Sequence, residues 1–259
     1  MKETLSIVKI GGNIIEDNDG LFQLLQSFSH MKGAKILVHG GGKKATEMGN
    51  KLGIEAKMTN GRRITDAQSL DVAVMVYGGL VNKNIVAKLQ GLGTNSIGMS
   101  GADGGSIRAH KRAVQEVDFG FVGDIEAVNA QGVFSLLQTG FTPVFCALTH
   151  DGKGQLLNTN ADTIASELAV GLTSHFETTL YYCFEKKGVL RNVSDENSVI
   201  THIDSHSYKT LLEEGIISDG MLPKLHNCFY ALQNKVKKVC IGDSSMIRNE
   251  STTFTTLTL

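Results

Sequence analysis

Tryptophan is absent from the 259-residue chain, and proline occurs only twice. So little proline excludes a proline-rich linker or a collagen-like repeat. Cysteine is also sparse. Cys146, Cys183, Cys228 and Cys240 form no C-x-x-C pair, which leaves no disulfide framework and no common structural zinc pattern. Charge of either sign is not in excess. The formal net charge of −1 provides no basic face of the kind nucleic-acid binding requires. No apolar run approaches the roughly 20 residues of a membrane span, and Met1–Ile10 lacks a signal-peptide cleavage pattern. Neither G-x-x-x-x-G-K-[ST] nor G-x-G-x-x-G occurs, which argues against a P-loop kinase and a dinucleotide-dependent dehydrogenase. His202 and His206 are four residues apart, but one such pair without acid or cysteine partners reads as a solvated helix face. No metal ligands are expected from the protein.

What the chain does have is 41% hydrophobic residues over a length that can bury a sizeable core. One large domain, or two lobes sharing a cleft, fits. Short β-rich runs alternate with segments of helical period. Strands are expected at Leu5–Ile10, Lys35–His39, Ser96–Met99, Pro143–Leu148, Thr179–Phe184 and Lys238–Ile241. Helices are expected at Leu21–Met31, Lys43–Leu52, Ala67–Leu89, Ala161–Val170, Ser205–Glu214 and Gly220–Lys235. Asp118–Asn129 reads as a β-hairpin insertion, and Asn249–Leu259 as a Thr-rich strand. The alternation predicts an α/β fold with a largely parallel central sheet. A lobe boundary is expected near 172–177, dividing 1–173 from 174–259. Cys146, Cys183 and Cys240 sit in apolar strand-like runs. All four thiols read as reduced and buried, hence cytoplasmic.

Several segments carry residues that a bland core would not choose. In Val8-Lys9-Ile10-Gly11-Gly12-Asn13 a lysine interrupts an apolar strand and two glycines follow. The lysine can snorkel at the sheet end, or its ammonium can face a phosphate that the glycine amides also approach. His39-Gly40-Gly41-Gly42-Lys43 runs from a strand into a helix, a place where backbone amides bind anions. Gly101-Ala102-Asp103-Gly104-Gly105 reads as an inter-strand turn. In Leu157-Asn158-Thr159-Asn160-Ala161-Asp162, Asn160 suits an N-cap and Asp162 the first helical turn, whereas capping gives Asn158 no role. Asn60-Gly61-Arg62-Arg63-Ile64-Thr65 is a turn with two arginines. Ser218-Asp219-Gly220-Met221-Leu222-Pro223-Lys224 opens a helix with a lysine set against the helix dipole, which favours a functional reason for Lys224.

Taken in order, Lys9-Ile10-Gly11-Gly12, His39-Gly40-Gly41-Gly42, Asn60-Gly61-x-Arg63-Ile64-Thr65, Asn158-Thr159-Asn160-Ala161-Asp162 and Asp219-Gly220-Met221-Leu222-Pro223-Lys224 resemble the amino-acid-kinase family. Within it they resemble the N-acetylglutamate kinase branch of arginine biosynthesis. The resemblance spans residue 5 to about 242, and the motifs are specific as a set. It implies a three-layer αβα sandwich in two lobes. The N-terminal lobe would hold the acylated glutamate and make the dimer contact, and the C-terminal lobe would hold ATP. It implies ATP-dependent phosphorylation of the side-chain carboxylate, with Mg²⁺ carried by the nucleotide. Lys9 and Lys224 would neutralise the transferring phosphoryl group, and Asp162 would orient both. Gly11, Gly12, Gly41 and Gly42 would line the phosphoryl and substrate sites. Arg63 and Asn158 would bind the α-carboxylate and acylamino portion. Glu185, Lys186, Lys187, Gly188 and Ser218 fall in the nucleotide region. The chemistry agrees: an ionised carboxylate needs no general base, and phosphoryl transfer needs alignment and charge neutralisation.

Two positions depart from the family pattern. Arg62 stands where the family usually has leucine, at the acyl end of the substrate. A second guanidinium there would fit an acyl group that itself ends in a carboxylate, so N-succinylglutamate is an alternative substrate. Phe184-Glu185-Lys186-Lys187-Gly188 replaces the usual T-D-V-x-G, which loosens the reading of the adenosine contacts. The chain begins a few residues before its first strand, without the N-terminal helix of arginine-inhibited hexameric relatives, so a homodimer is expected. Glutamate 5-kinase, aspartokinase, carbamate kinase and UMP kinase are alternatives within the fold. A non-catalytic amino-acid sensor is an alternative of another class, disfavoured because Lys9, Asp162 and Lys224 are all present.

Overall fold

The computed structural model describes residues 2–59, 62–217, 221–248 and 253–259. Fourteen strands and nine α-helices alternate among these residues. The first half contains β1 (Thr4–Ile10), α1 (Gly12–Glu16), α2 (Asn18–His30), β2 (Ala34–His39), α3 (Gly42–Lys51), β3 (Met58–Thr59), β4 (Arg62–Arg63), α4 (Ala67–Ala73), α5 (Asn82–Gly91), β5 (Ser96–Met99), β6 (Ile107–Lys111) and β7 (Gly123–Val128). The second half contains α6 (Ala130–Gln138), β8 (Thr142–Cys146), β9 (Leu148–His150), β10 (Leu156–Asn158), α7 (Ala161–Gly171), β11 (Glu177–Cys183), β12 (His202–Ile203), α8 (Ser205–Glu213), α9 (Leu222–Gln233), β13 (Lys238–Gly242) and β14 (Thr255–Leu257).

Eight strands form the central sheet in the order β12-β14-β13-β11-β1-β2-β8-β5, and every pair is parallel except β13 with β14. Every residue of β8 is buried, as is every residue of β2 after Ala34. Consecutive buried positions need cover on both faces, as the continuous apolar runs anticipate. The expected α/β sandwich with a largely parallel sheet is therefore present. α7 packs on β1, β2 and β11, with α9 against it, while α2 packs with α5. Two helices show local reasons to form. Leu21, Leu24, Leu25 and Phe28 make the buried side of α2, which Asp17 caps. Asp204 and Ser207 close a capping box on α8.

Register decides what the sheet presents. Ile10 lies beside His39 on β2 and Cys183 on β11. Gly11, Gly40 and Phe184 therefore leave the sheet at one level, at the carboxyl ends of three adjacent parallel strands. That is where α/β sheets bind ligands.

Three differences from the sequence expectation have physical causes. Asp118–Asn129 is not a hairpin by itself. Only β7 forms there, and it pairs antiparallel with the earlier β6, across a gap that local patterning cannot bridge. These two join β9 and β10 in a second sheet. The long helix expected at 67–89 runs from Ala67 to Gly91, but Val74–Val81 in its middle is π-helical. This 25-residue run is long and apolar enough to cross a bilayer by length and composition. Here its α5 portion packs against α2, β5 and β8. The Thr-rich tail forms a strand only over Thr255–Leu257, and 249–252 lie outside the described residues. All four cysteines are free and buried.

Candidate active site

The centre of the site is a carboxylate held between two ammonium groups from distant parts of the chain. Lys9 comes from β1, Asp162 from the first turn of α7 and Lys224 from the first turn of α9. Lys9 Nζ is 2.6 Å from Asp162 Oδ1, and Lys224 Nζ is 2.9 Å from Asp162 Oδ2. The side chains of Lys9 and Asp162 are each 12% exposed and that of Lys224 is 32% exposed. Burial alone would push the Asp162 carboxyl up. The charges and hydrogen bonds of Lys9 and Lys224 outweigh it and hold the carboxyl at about 2. Asn160 fixes the turn that carries Asp162: its side chain accepts from the amides of Asp162 (2.8 Å) and Thr163 (3.1 Å). Tyr182 Oη donates to the Asp162 carbonyl at 3.0 Å.

A cavity of about 260 Å³ opens beside this triad, lined by Lys9, Gly11, Gly12, Phe184, Glu185 and Lys224, among others. Asn13, Lys43, Tyr182 and Cys183 complete its wall. Of these, Asn13, Lys43, Tyr182, Cys183 and Phe184 are not site residues in the sequence reading. Lys43 carried a usable signal, since it is a lysine in a first helical turn, the same oddity that singled out Lys224. Two glycines sit close to backbone or rings. A Cβ on Gly11 would lie 3.3 Å from the Cys183 carbonyl oxygen. A Cβ on Gly41 would lie 2.8 Å from Tyr77 Cδ1, inside any real contact distance.

The glycine loop is braced from below by His39. Its ring is fully buried, and burial pushes its pKa down to about 4, with the Gly40 hydrogen bond opposing and Lys83 assisting. A neutral ring donates from Nδ1 to the Gly40 carbonyl (2.7 Å) and accepts at Nε2 from Asn82 Nδ2 (3.0 Å). A Cβ at Gly40 would be 3.9 Å from Ala161 Cβ, so the loop adjoins the start of α7.

The remaining expected contacts form a neighbouring group. Arg63 Nη2 donates to the Gly42 carbonyl (3.0 Å) and to Thr46 Oγ1 (2.6 Å). Asn158 Nδ2 donates to Thr65 Oγ1 (3.0 Å), two residues beyond Arg63. Gly42, Arg63 and Asn158 are thus connected through β4 and the segment after it, next to the glycine loop. Arg62 is exposed on the β3–β4 hairpin. Lys186 pairs with Glu196 at 2.7 Å, and Lys187 reaches Asn197 Oδ1 at 3.4 Å. Neither lysine lines the cavity, nor does Gly188. Ser218, with Asp219, Gly220, Asn60 and Gly61 of the motifs, lies outside the described residues.

A largely parallel sheet whose strand ends open on a cleft, with one lysine from a strand and one from a helix start meeting on a shared carboxylate, fits an α/β phosphotransferase architecture. Residues 4–243 match the amino acid kinase family, and the chain belongs to that family. It is 56% identical over 253 residues to the acetylglutamate kinase of Phocaeicola vulgatus, covering 98% of each chain. Among solved structures it resembles smu.665 from Streptococcus mutans UA159 (TM-score 0.79, 26% identity, 98% of each chain). The carbamate kinase of Giardia lamblia bound to AMP-PNP shares the fold at a TM-score of 0.70 and 13% identity, over 99% of this chain and 98% of that one.

Proposed function

We infer that this chain is an acetylglutamate kinase, transferring the γ-phosphoryl group of ATP to the side-chain carboxylate of N-acetyl-L-glutamate. The single observation that carries the reading is the Lys9–Asp162–Lys224 arrangement, whose two lysines line the cavity, in a chain whose close relative bears that name. In the reaction a carboxylate oxygen attacks the γ-phosphorus, the bond to the β–γ bridging oxygen breaks, and an acyl phosphate and ADP result. Lys9 and Lys224 face the charge on the migrating group, and Asp162 keeps the two ammoniums from repelling each other apart. Gly11, Gly12 and Glu185 line the nucleotide side; Gly41, Gly42, Arg63 and Asn158 serve the acceptor. The Arg63 fork suits a carboxylate, and its Nη2 donates to the Gly42 carbonyl and the Thr46 hydroxyl beside the glycine loop. Magnesium would be carried by the ATP substrate, and Asp162, with both oxygens facing ammonium groups, is not assigned to hold it. The nucleotide lobe is assigned to 174–259 and the acceptor lobe to 1–173. A homodimer fits the exposure of Met75 and Leu80 on the long helix, and a cytoplasmic location fits four free thiols.

The comparisons do not support the N-succinylglutamate alternative or the non-catalytic sensor. ADP release measured with N-acetylglutamate, free glutamate and no acceptor tests the reading. Release that depends on acetylglutamate, with hydroxylamine trapping the acyl phosphate as a hydroxamate, is the expected result. Equal release with all three would overturn it. Arg63→Ala is expected to raise KM for acetylglutamate about 10- to 100-fold, the cost of one lost charge-assisted contact, while KM for ATP stays within about twofold. Steady-state titration of each substrate checks this.

A further inference from the structure

Lys43 has no role in the mechanism described so far, yet it lines the same cavity as Lys9 and Lys224. It sits in the first turn of α3, a ten-residue helix, where a cation opposes the helix dipole. Its neighbours show what an ordinary surface lysine does here. Lys44 pairs with Glu16 (3.4 Å) and Glu47 (3.2 Å), and Lys51 pairs with Glu47 (2.7 Å). Lys43 pairs with no carboxylate among the described residues. It donates instead to the side-chain oxygen of Asn13, a neutral acceptor that also lines the cavity. A tether of this kind aims the ammonium without neutralising it. Against one acidic side chain, Glu185, the wall then carries three cationic ones, Lys9, Lys43 and Lys224. Asp162 answers the first and last of these and leaves Lys43 unanswered.

We propose that Lys43 is a third phosphoryl-binding ammonium, held by Asn13, that contacts the migrating group from the glycine-loop side of the cleft. It would meet the phosphoryl oxygens on the side of the acceptor lobe, while Lys9 and Lys224 hold the side next to Asp162. A cation placed against a dipole costs stability in the empty protein and recovers it only when an anion arrives. The inference rests on the kinase reading above, so its test has one arm that needs no turnover.

In the first arm, Lys43→Met, Lys43→Arg and Asn13→Ala are compared with the natural chain in steady-state kinetics. Lys43→Met is expected to lower kcat about tenfold or more with KM for acetylglutamate within about threefold. Lys43→Arg should retain most of the rate, and Asn13→Ala should fall between. The thermal midpoint of Lys43→Met should hold or rise slightly, because Lys43 is exposed and its charge opposes the helix dipole. In the second arm, calorimetric titration with ATP and with ADP is run without acceptor. Lys43→Met should lose about threefold or more of the preference for ATP over ADP. A Lys43→Met chain with kcat within twofold of the natural one, or Arg and Met variants equally impaired, overturns the proposal. If the natural chain does not turn over acetylglutamate, the kinase reading fails on its own. The ATP-over-ADP preference then still decides whether Lys43 holds the terminal phosphoryl group.

Discussion

Lys224→Ala is expected to lower kcat about 100- to 1,000-fold while KM for acetylglutamate moves by less than about fivefold, and Lys9→Ala to do the same. The magnitude is that of removing one preorganised donor from a site where charge develops in the transition state. In the proposed mechanism neither lysine is needed to hold the acceptor in the ground state, a task given there to the Arg63 and Asn158 group. Losses should therefore appear in kcat and in kcat/KM alike. The two variants differ in what they leave behind. Lys9 is nearly enclosed, and its loss strips Asp162 of its shorter contact, at 2.6 Å. Lys224 is about one-third exposed, so water can replace part of its interaction with Asp162, and its stability cost should be smaller. Lys224→Arg should recover little of the rate, because a planar fork cannot reproduce a point charge on the short approach to Asp162. Single-turnover measurements at saturating substrates separate the chemical step from product release. A near-normal chemical rate in either alanine variant removes that lysine from the mechanism.

Much of this site was legible in the sequence because its residues contradict their local surroundings. A lysine within an apolar strand, an asparagine (Asn158) that capping of the next helix does not explain, and a lysine facing a helix dipole each invite a question about charge or polarity. The strands were legible for a related reason: apolar runs such as Ile36–Val38 and Val144–Cys146 are buried on both faces and show it in composition. Pairing was another matter. β1 and β11 are neighbours in the sheet although some 170 residues separate them in the chain. The closeness of Lys9 to Asp162 follows from that long-range register and from α7 crossing β1 and β11. The resemblance to a family supplied this arrangement in advance; periodicity alone could not. The π-helical stretch at Val74–Val81 left no mark, since an apolar run of that length satisfies either helical period. It carries Tyr77, whose ring closes on Gly41. Lys43 carried the first-turn signal too, but in a polar helix a lysine is ordinary, and it took the cavity wall and the lack of an acid partner among the described residues to give that signal weight.

Asp162→Asn should both slow the enzyme and change how its stability responds to acid. The amide keeps the shape of the carboxylate but presents one acceptor and one donor group, so the donor faces an ammonium. The two lysines then stand near each other without compensating charge, and kcat should fall about 100-fold or more as they separate. For a fully buried pair, removing one partner costs about 3–5 kcal/mol; partial exposure of Lys224 reduces that here. The pH dependence is the sharper test. The carboxyl lies at about 2 in the folded chain against an ordinary 3.8. Its stabilisation is therefore complete above about pH 4 and is lost as pH falls through 2. The size of that loss is roughly 2 kcal/mol. The natural chain should lose this stability between about pH 4 and 2, on top of whatever its other carboxylates contribute, and Asp162→Asn should lack that component. Urea midpoints measured across the range, compared at matched m-values, read the difference directly. Parallel pH profiles for the two chains would show that Asp162 is not held ionised by its lysines, and the electrostatic account of the site would fail with it.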